Sequence, residues 1–309
     1  MNVTDRPRYA PEWLALREGA DAAARAPELL DPLRRGLAHR VDPADPAHPP
    51  RRDVGVVIRD LGCGTGSMGR WLAPRLAGPQ HWILHDHDPG LLALAAAQMP
   101  RTAADGSRIT VTTERGDITR LTTDDLSGTS LVTASALLDL LTRDELDRLV
   151  AACAGAGCPA LLALSVMGRV DLTPADPMDA EITDAFNAHQ RRVDHGRRLL
   201  GPDAAAAASV AFARHGMAVR VHASPWRLEP AARVSATAED TEPGADASAL
   251  TAQWLRGWVG AAQEQRPDLA ARADAYLRRR LAACEAGELR VVVHHSDLLA
   301  VPRQTGGTS

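Results

Sequence analysis

The chain of 309 residues is 45% hydrophobic and carries a net charge of −4, which suits one large core with a helical cap and leaves two full enzyme domains cramped. That charge, with only two tyrosines and two phenylalanines, argues against a nucleic-acid backbone or an anionic membrane surface as partner. There is no lysine, so all 35 cationic side chains are arginines, which excludes lysine Schiff-base chemistry and a P-loop.

In chain order, residues 9–40 have apolar residues at helical spacing (Trp13, Leu14, Leu16, then Leu29, Leu30, Leu33 and Leu37) and predict helix interrupted at Pro27 and Pro32. The start, MNVTDRPRYAPEW, lacks the basic-then-apolar pattern of an export signal, and no run approaches the roughly 20 apolar residues of a membrane span, so the expected compartment is the cytoplasm. VDPADPAHPPRRD (41–53) has too many fixed φ angles and missing donors for a helix or a central strand and predicts a linker. VGVVIRD (54–60), a glycine cluster and SMGRWLAPRLAG (67–78) predict strand, turn and helix.

The alternation continues with strands at 81–86, 108–117, 130–135 and 159–166 and helices at about 89–99 and 143–154. This predicts a doubly wound α/β fold, its sheet mostly parallel with helices on both faces. Beyond Val166 the expected elements are helices near 178–193 and 202–215, a strand at about 217–223, a mobile polar stretch at 229–247, a helical pair at about 248–284 and a last strand at 289–302. Cys63, Cys153, Cys158 and Cys284 have no metal-ligand spacing and are expected as reduced thiols.

Chemistry concentrates in Asp60-Leu61-Gly62-Cys63-Gly64-Thr65-Gly66, which closes the first strand and opens the first helix. Glycines there permit a tight turn and let a ligand lie on bare backbone. An acid at the mouth of the turn would repel a pyrophosphate but suits a ligand bearing a sulfonium and an ammonium. Ser67 also stands where the third glycine of GxGxxG would be, which disfavours the alternative of a nicotinamide-dependent oxidoreductase. Asp86, at the end of the second strand, can accept from both hydroxyls of a ribose. Asp117, at the end of the third, can accept from an exocyclic adenine amine, and Ile118 offers the ring an apolar surface; a helix cap is the competing role for Asp117.

VIRDLGCGTGSMGRWLAPRL, HWILHDHDPGLL and ERGDIT resemble, in order and spacing, the three signature segments of class I S-adenosylmethionine-dependent methyltransferases over about residues 54–166. The resemblance implies that S-adenosylmethionine is the cofactor, that Gly62, Gly64 and Gly66 approach its methionine part beside Asp60 and Cys63, that Asp86 with His87 holds the ribose, and that Asp117 with Ile118 frames the adenine. Ser135, ending the fourth strand, joins that expected set. The sheet should have seven strands, the antiparallel one at 289–302.

The expected organisation is a helical cap and linker over 1–53, a Rossmann-like domain over 54–302 with insertions at about 178–193 and 248–284, and a flexible tail over 303–309. A small-molecule acceptor is expected, with no nucleic-acid or membrane partner, and a monomer or homodimer. A cofactor-binding protein without catalysis is the non-enzymatic alternative.

After the fourth strand, Ser135-Ala136-Leu137-Leu138 replaces the Asn/Asp-Pro-Pro-aromatic turn of enzymes that methylate base amines, which argues against that chemistry. His85-Asp86-His87-Asp88 and His294-His295-Ser296-Asp297 send alternate residues to opposite faces if they are strands, so no metal is expected at either. Trp254 and Trp258, four apart, predict a buried helix face or one wall of an acceptor pocket, and Trp13 with Arg17 resembles them. The cluster Asn187 to Arg192 lies past the fifth strand, where open α/β sheets bind substrates. Asn187, His189 and Arg192 are therefore expected acceptor contacts, with His189 and then His195 the candidates for a proton acceptor.

Overall fold

The computed structural model describes residues 10–40, 55–229 and 243–303. All of the expected linker at 41–53, most of the polar stretch at 229–247 and nearly all of the tail at 303–309 lie outside the described residues.

Helix α1 (Pro11–Ala24) leads through a 3-10 turn at Pro27–Leu29 to α2 (Leu30–Arg40). Pro27 marks the break as expected, whereas Pro32 falls in the first turn of α2, where an absent N–H costs no hydrogen bond. Strands β1 (Val56–Leu61), β2 (Gln80–Asp86), β3 (Ile109–Arg115), β4 (Leu131–Ser135) and β5 (Ala160–Thr173) alternate with α3 (Ser67–Leu72), α4 (Pro89–Gln98) and α5 (Arg143–Gly155). Two of these helices have clear starts. Asp88 caps α4 by accepting from the N–H groups of Gly90 and Leu91, and Thr142 with Glu145 forms a reciprocal capping box on α5.

Then follow α6 (Asp179–Gln190), a hairpin of β6 (Val193–Asp194) and β7 (Arg197–Arg198), α7 (Ala204–Arg214), β8 (Met217–Ala223), β9 (Trp226–Leu228), α8 (Pro243–Gln265), α9 (Ala270–Glu285) and β10 (Arg290–Pro302). The hairpin stands where the sequence shows only a polar cluster. Its two-residue loop, His195-Gly196, has φ of 48° and 80°, the all-positive pair that matches the twist of adjoining strands.

The main sheet runs β3-β2-β1-β4-β5-β10-β8, with β9 on the far half of β10. The pairings among β1 to β5 are parallel, and β10 is antiparallel to both β5 and β8, so the strand at 289–302 is the antiparallel one the resemblance implies. Strand order reverses between β1 and β4, which opens a crevice at their C-terminal ends.

Successive residues point to opposite faces. Ile58, Trp82, Leu84 and Leu131 pack with α2, α3 and α4 on one side, while Leu61, Val132, Ala134 and Leu162 pack with α5 and α7 on the other. Strand β5 runs further than expected, to Thr173, and β10 matches its expected range. Beyond Val166 charged residues alternate along β5, yet Val170 to Thr173 pair with Val293 to Arg290 and carry a third core, with Trp226, Trp258, Val259, Ile182 and Tyr276. The N-terminal and C-terminal insertions are thereby tied to the sheet's upper rim.

Candidate active site

A cavity of about 360 Å³ opens above the ends of β1, β2, β4 and β5. Its floor is the glycine turn. Gly62 has φ 59° and Gly66 φ 89°; an added Cβ at Gly62 would lie 3.0 Å from Leu137 Cδ1, and one at Gly66 3.2 Å from the Ala95 Cβ. The conformation therefore favours glycine at these two positions, and the space beside each is tight. Asp86 locks the turn from beside it, its Oδ2 accepting from Gly64 N–H at 3.0 Å and its Oδ1 from Asp88 N–H at 3.0 Å. Strand β2 ends at Asp86, so the alternation expected for His85-Asp86-His87 stops there, and His87 Nδ1 turns to within 3.2 Å of Asp86 Oδ1.

Asp60 is 1% exposed. Its Oδ1 accepts from the Thr133 hydroxyl at 2.7 Å, while Oδ2 is buried with no partner on the cavity wall. Burial raises its pKa to about 7, opposed by the Thr133 hydrogen bond and the Arg25 charge. A buried carboxylate oxygen without a donor fits a cationic ligand and opposes a pyrophosphate. Five carboxylates line the cavity, Asp21, Asp60, Asp86, Asp88 and Asp139, against two guanidiniums, Arg17 and Arg169, so the field of the whole site agrees with that of Asp60.

Three buried groups brace the walls from behind. Arg25 donates to the hydroxyls of Ser67 and Ser135 at 3.0 and 3.2 Å, so Ser135 lines the cavity while bonded to the N-terminal segment. Asp297, 2% exposed, accepts from Leu164 N–H at 2.8 Å and Ala26 N–H at 2.9 Å. Leu164 and Ala136, both on the cavity wall, have φ of 55° and 51°, the left-handed region that costs a non-glycine residue about 1–3 kcal/mol. Asp21 accepts from Arg17 Nε at 3.0 Å and from Trp226 Nε1 at 2.9 Å, which fastens α1 to β9.

The roof comes from three helices: Trp13, Leu14 and Arg17 of α1, Phe186, Asn187 and Gln190 of α6, and Trp254 of α8. The tryptophan pair of α8 splits its roles. Trp258 is 2% exposed in the third core, and Trp254 stacks on it at 5.0 Å while facing the cavity. Asn187 Nδ2 donates to Gly168 carbonyl at 2.7 Å, leaving its Oδ1 buried and without a donor.

A slot of about 110 Å³ adjoins the cavity beside Asp86 and His87, walled by Ile118, Leu137, Leu140, Leu141 and Leu199 and rimmed by Thr119, Arg192, Asp194 and Arg197. Asp117 caps the following turn through Thr119 N–H at 3.0 Å, the competing role weighed for it, and Asp194 is the carboxylate on the slot's rim. The hairpin holding Asp194 is pinned by Arg197, which reaches Glu145 Oε2 at 2.7 Å.

The two histidines expected as proton acceptors are not among the residues lining the cavity or the slot. His189 points across α6 to α8, its Nε2 3.1 Å from Glu264 Oε2, and burial lowers its pKa. His195 occupies the exposed hairpin turn. Arg192 lines the slot and Asn187 the cavity, so the expected acceptor cluster is divided between two spaces.

Asp139, Trp226 and His295 also line the cavity. His295 lies against Trp226 with ring centroids 5.3 Å apart, and burial lowers its pKa to about 3. Of the three, only Asp139 had a readable sequence signal, its place four residues past the end of β4.

Residues 58–159 match a family model described as a methyltransferase domain. No curated relative matches the sequence. Among solved structures, loganic acid methyltransferase with S-adenosylhomocysteine is 12% identical with TM-score 0.51, the match covering 99% of each chain. A cyclopropane-fatty-acyl-phospholipid synthase-like protein from Lactobacillus casei is 16% identical, covering 92% of this chain and 98% of that one, with TM-score 0.42. Magnesium protoporphyrin IX methyltransferase from Synechocystis, with bound S-adenosylhomocysteine, is 14% identical, covering 71% and 83%, with TM-score 0.37.

Proposed function

We propose that this chain, a class I S-adenosylmethionine-dependent methyltransferase, passes the methyl group to a small molecule held in the chamber under Trp13, Trp226 and Trp254. The observation that carries the reading is the single cavity that runs from the glycine turn and Asp60 to an apolar roof drawn from α1, α6 and α8. A roof of this kind encloses a ligand, whereas a macromolecular substrate needs an open face.

S-adenosylmethionine supplies a methyl group on a sulfonium, already a good leaving group. The residues then have three tasks. Asp60 offers its unpartnered oxygen to the cofactor's positive charge, and the bare backbone at Gly62, Cys63, Gly64 and Gly66 lets the methionine part lie close. Asp86 with His87 receives the ribose. Ile118 and Leu137 take the faces of the adenine, and Asp194, on the slot's rim, accepts from its amine; Asp117, engaged with Thr119, is the other acid near this end. Ser135 and Leu164 mark the boundary between cofactor and acceptor. Holding the acceptor in line and excluding water can supply much of the acceleration by orientation alone.

The test is incubation of the protein with isotopically labelled methyl donor and a cell extract, followed by separation by size. Labelled products of low mass are expected, lost with Asp60→Ala. Label confined to macromolecules, and lost with the same substitution, would leave the methyltransferase and overturn the small-molecule acceptor.

A further inference from the structure

We propose that the acceptor is an amine, bound through its N–H groups by Asp139 and Asn187 beneath the tryptophan roof; this rests on the small-molecule reading above. The argument starts from which polar atoms of the acceptor half lack partners. Arg17 and Arg169, the guanidiniums on the wall, are already matched: Arg17 Nε lies 3.0 Å from Asp21 Oδ2 and Arg169 Nη2 2.9 Å from Asp171 Oδ2. His294 Nε2 is 2.8 Å from the same Asp171 carboxylate. A carboxylate acceptor would therefore have to take a cation from an existing pair.

Hydrogen-bond acceptors on the same wall have capacity to spare. Asn187 Oδ1 is buried with no donor, and its identity as oxygen is fixed because Nδ2 is held by Gly168 carbonyl. Asp139 lines the cavity; its own backbone N–H donates to its carboxyl and, among the described residues, no other side chain does. It is enclosed enough for burial to raise its pKa, against the pull of Arg17 and Arg192. An amine nitrogen offers two or three N–H donors to these two oxygens, where a hydroxyl offers one. The apolar walls add to the match, since Trp13, Trp254 and Phe186 line the cavity and aromatic faces attract an ammonium.

The chemistry balances. An ammonium gives one proton to the Asp139 carboxylate, which frees the nitrogen lone pair. That pair forms the N–CH3 bond as the S–CH3 bond breaks, and the bond's electrons return to sulfur, which leaves as a neutral thioether. The N-methylammonium product keeps the charge, and the proton on Asp139 passes to solvent.

The test uses S-adenosylmethionine carrying a 13C methyl, the full-length protein and a protein-free small-molecule extract of the cells the chain comes from, with products sorted by the methyl carbon's NMR shift. N-methyl products are expected. Asp139→Asn should lower their rate at least tenfold and Asn187→Leu should raise KM at least fivefold, both with S-adenosylhomocysteine binding within twofold of the parent protein. O-, S- or C-methyl products in place of N-methyl would overturn the amine and leave the small-molecule reading intact. Absence of any labelled small molecule would sink that reading and this inference together. If Asp139→Asn loses cofactor binding or unfolds, Asn187→Leu decides: an unchanged KM for the N-methylated substrate would overturn the proposed contacts.

Discussion

Asp60 makes cofactor binding depend on pH in a direction that can be worked out. Its carboxyl is raised from 3.8 to about 7 because it is buried with one oxygen unpartnered. A cation seated against that oxygen favours the ionised form, so below about pH 7 binding must expel a proton. Affinity should therefore rise with pH by up to about tenfold per unit between pH 5.5 and 7 and level off above. With a free-state pKa of about 7 and a bound-state value near that of an ordinary carboxylate, roughly 0.9 protons leave per ligand at pH 6 and about 0.1 at pH 8. Stability of the free protein runs the opposite way with pH. The folded pKa lies above the unfolded one, so stability present below about pH 4 is lost as pH rises to about 7, by roughly 4 kcal/mol at most for a shift of about three units. The assay is calorimetry of S-adenosylhomocysteine binding in two buffers of different ionisation heat, with Asp60→Asn alongside. The variant keeps an acceptor for Thr133 and should release no proton at either pH. Wild-type affinity that is flat from pH 5.5 to 7.5, with no proton released, would refute the reasoning.

Asp194→Asn should shrink the preference for S-adenosylhomocysteine over its 6-oxo analogue S-inosylhomocysteine by about tenfold, the scale of one hydrogen bond to a charged acceptor; Asp117→Asn should leave that ratio unchanged, and both are read by titration. Asp86→Ala should weaken cofactor binding by roughly 1–3 kcal/mol, since it removes both the expected ribose contact and the hold on Gly64 N–H; calorimetry at pH 7.5 measures it. Trp258→Ala should destabilise the fold by about 3–5 kcal/mol as a buried large-to-small change, whereas Trp254→Ala should raise the acceptor's KM with a smaller loss of stability, the two separated by denaturant unfolding and kinetics.

The parallel half of the fold is legible because each element carries its own period and its own stop. β-branched runs end at glycines, and helices begin at Asp88 and Thr142. The far half of β5 is not legible, because charged residues alternate with apolar ones along a stretch whose partner lies more than a hundred residues away. The hairpin at 193–198 was hidden in a run of charges, since its turn rests on a histidine at positive φ beside Gly196. Glycine turn and strand-end acids could be found because local backbone geometry demands them. The rest of the acceptor wall could not: Trp226 and His295 are brought to Asp139 by tertiary packing. His189 and Arg192, which sit close in sequence, are sent to a helix interface and to the slot.

The most direct measurement is a crystal structure of the protein soaked with S-adenosylhomocysteine. The expected result is a ligand with its ribose on Asp86, its adenine over Ile118 within reach of Asp194, and its sulfur facing the space bounded by Asp139, Asn187 and Trp254. A ligand bound away from Gly62 to Gly66, or no ligand at a concentration that saturates binding in solution, would contradict the account.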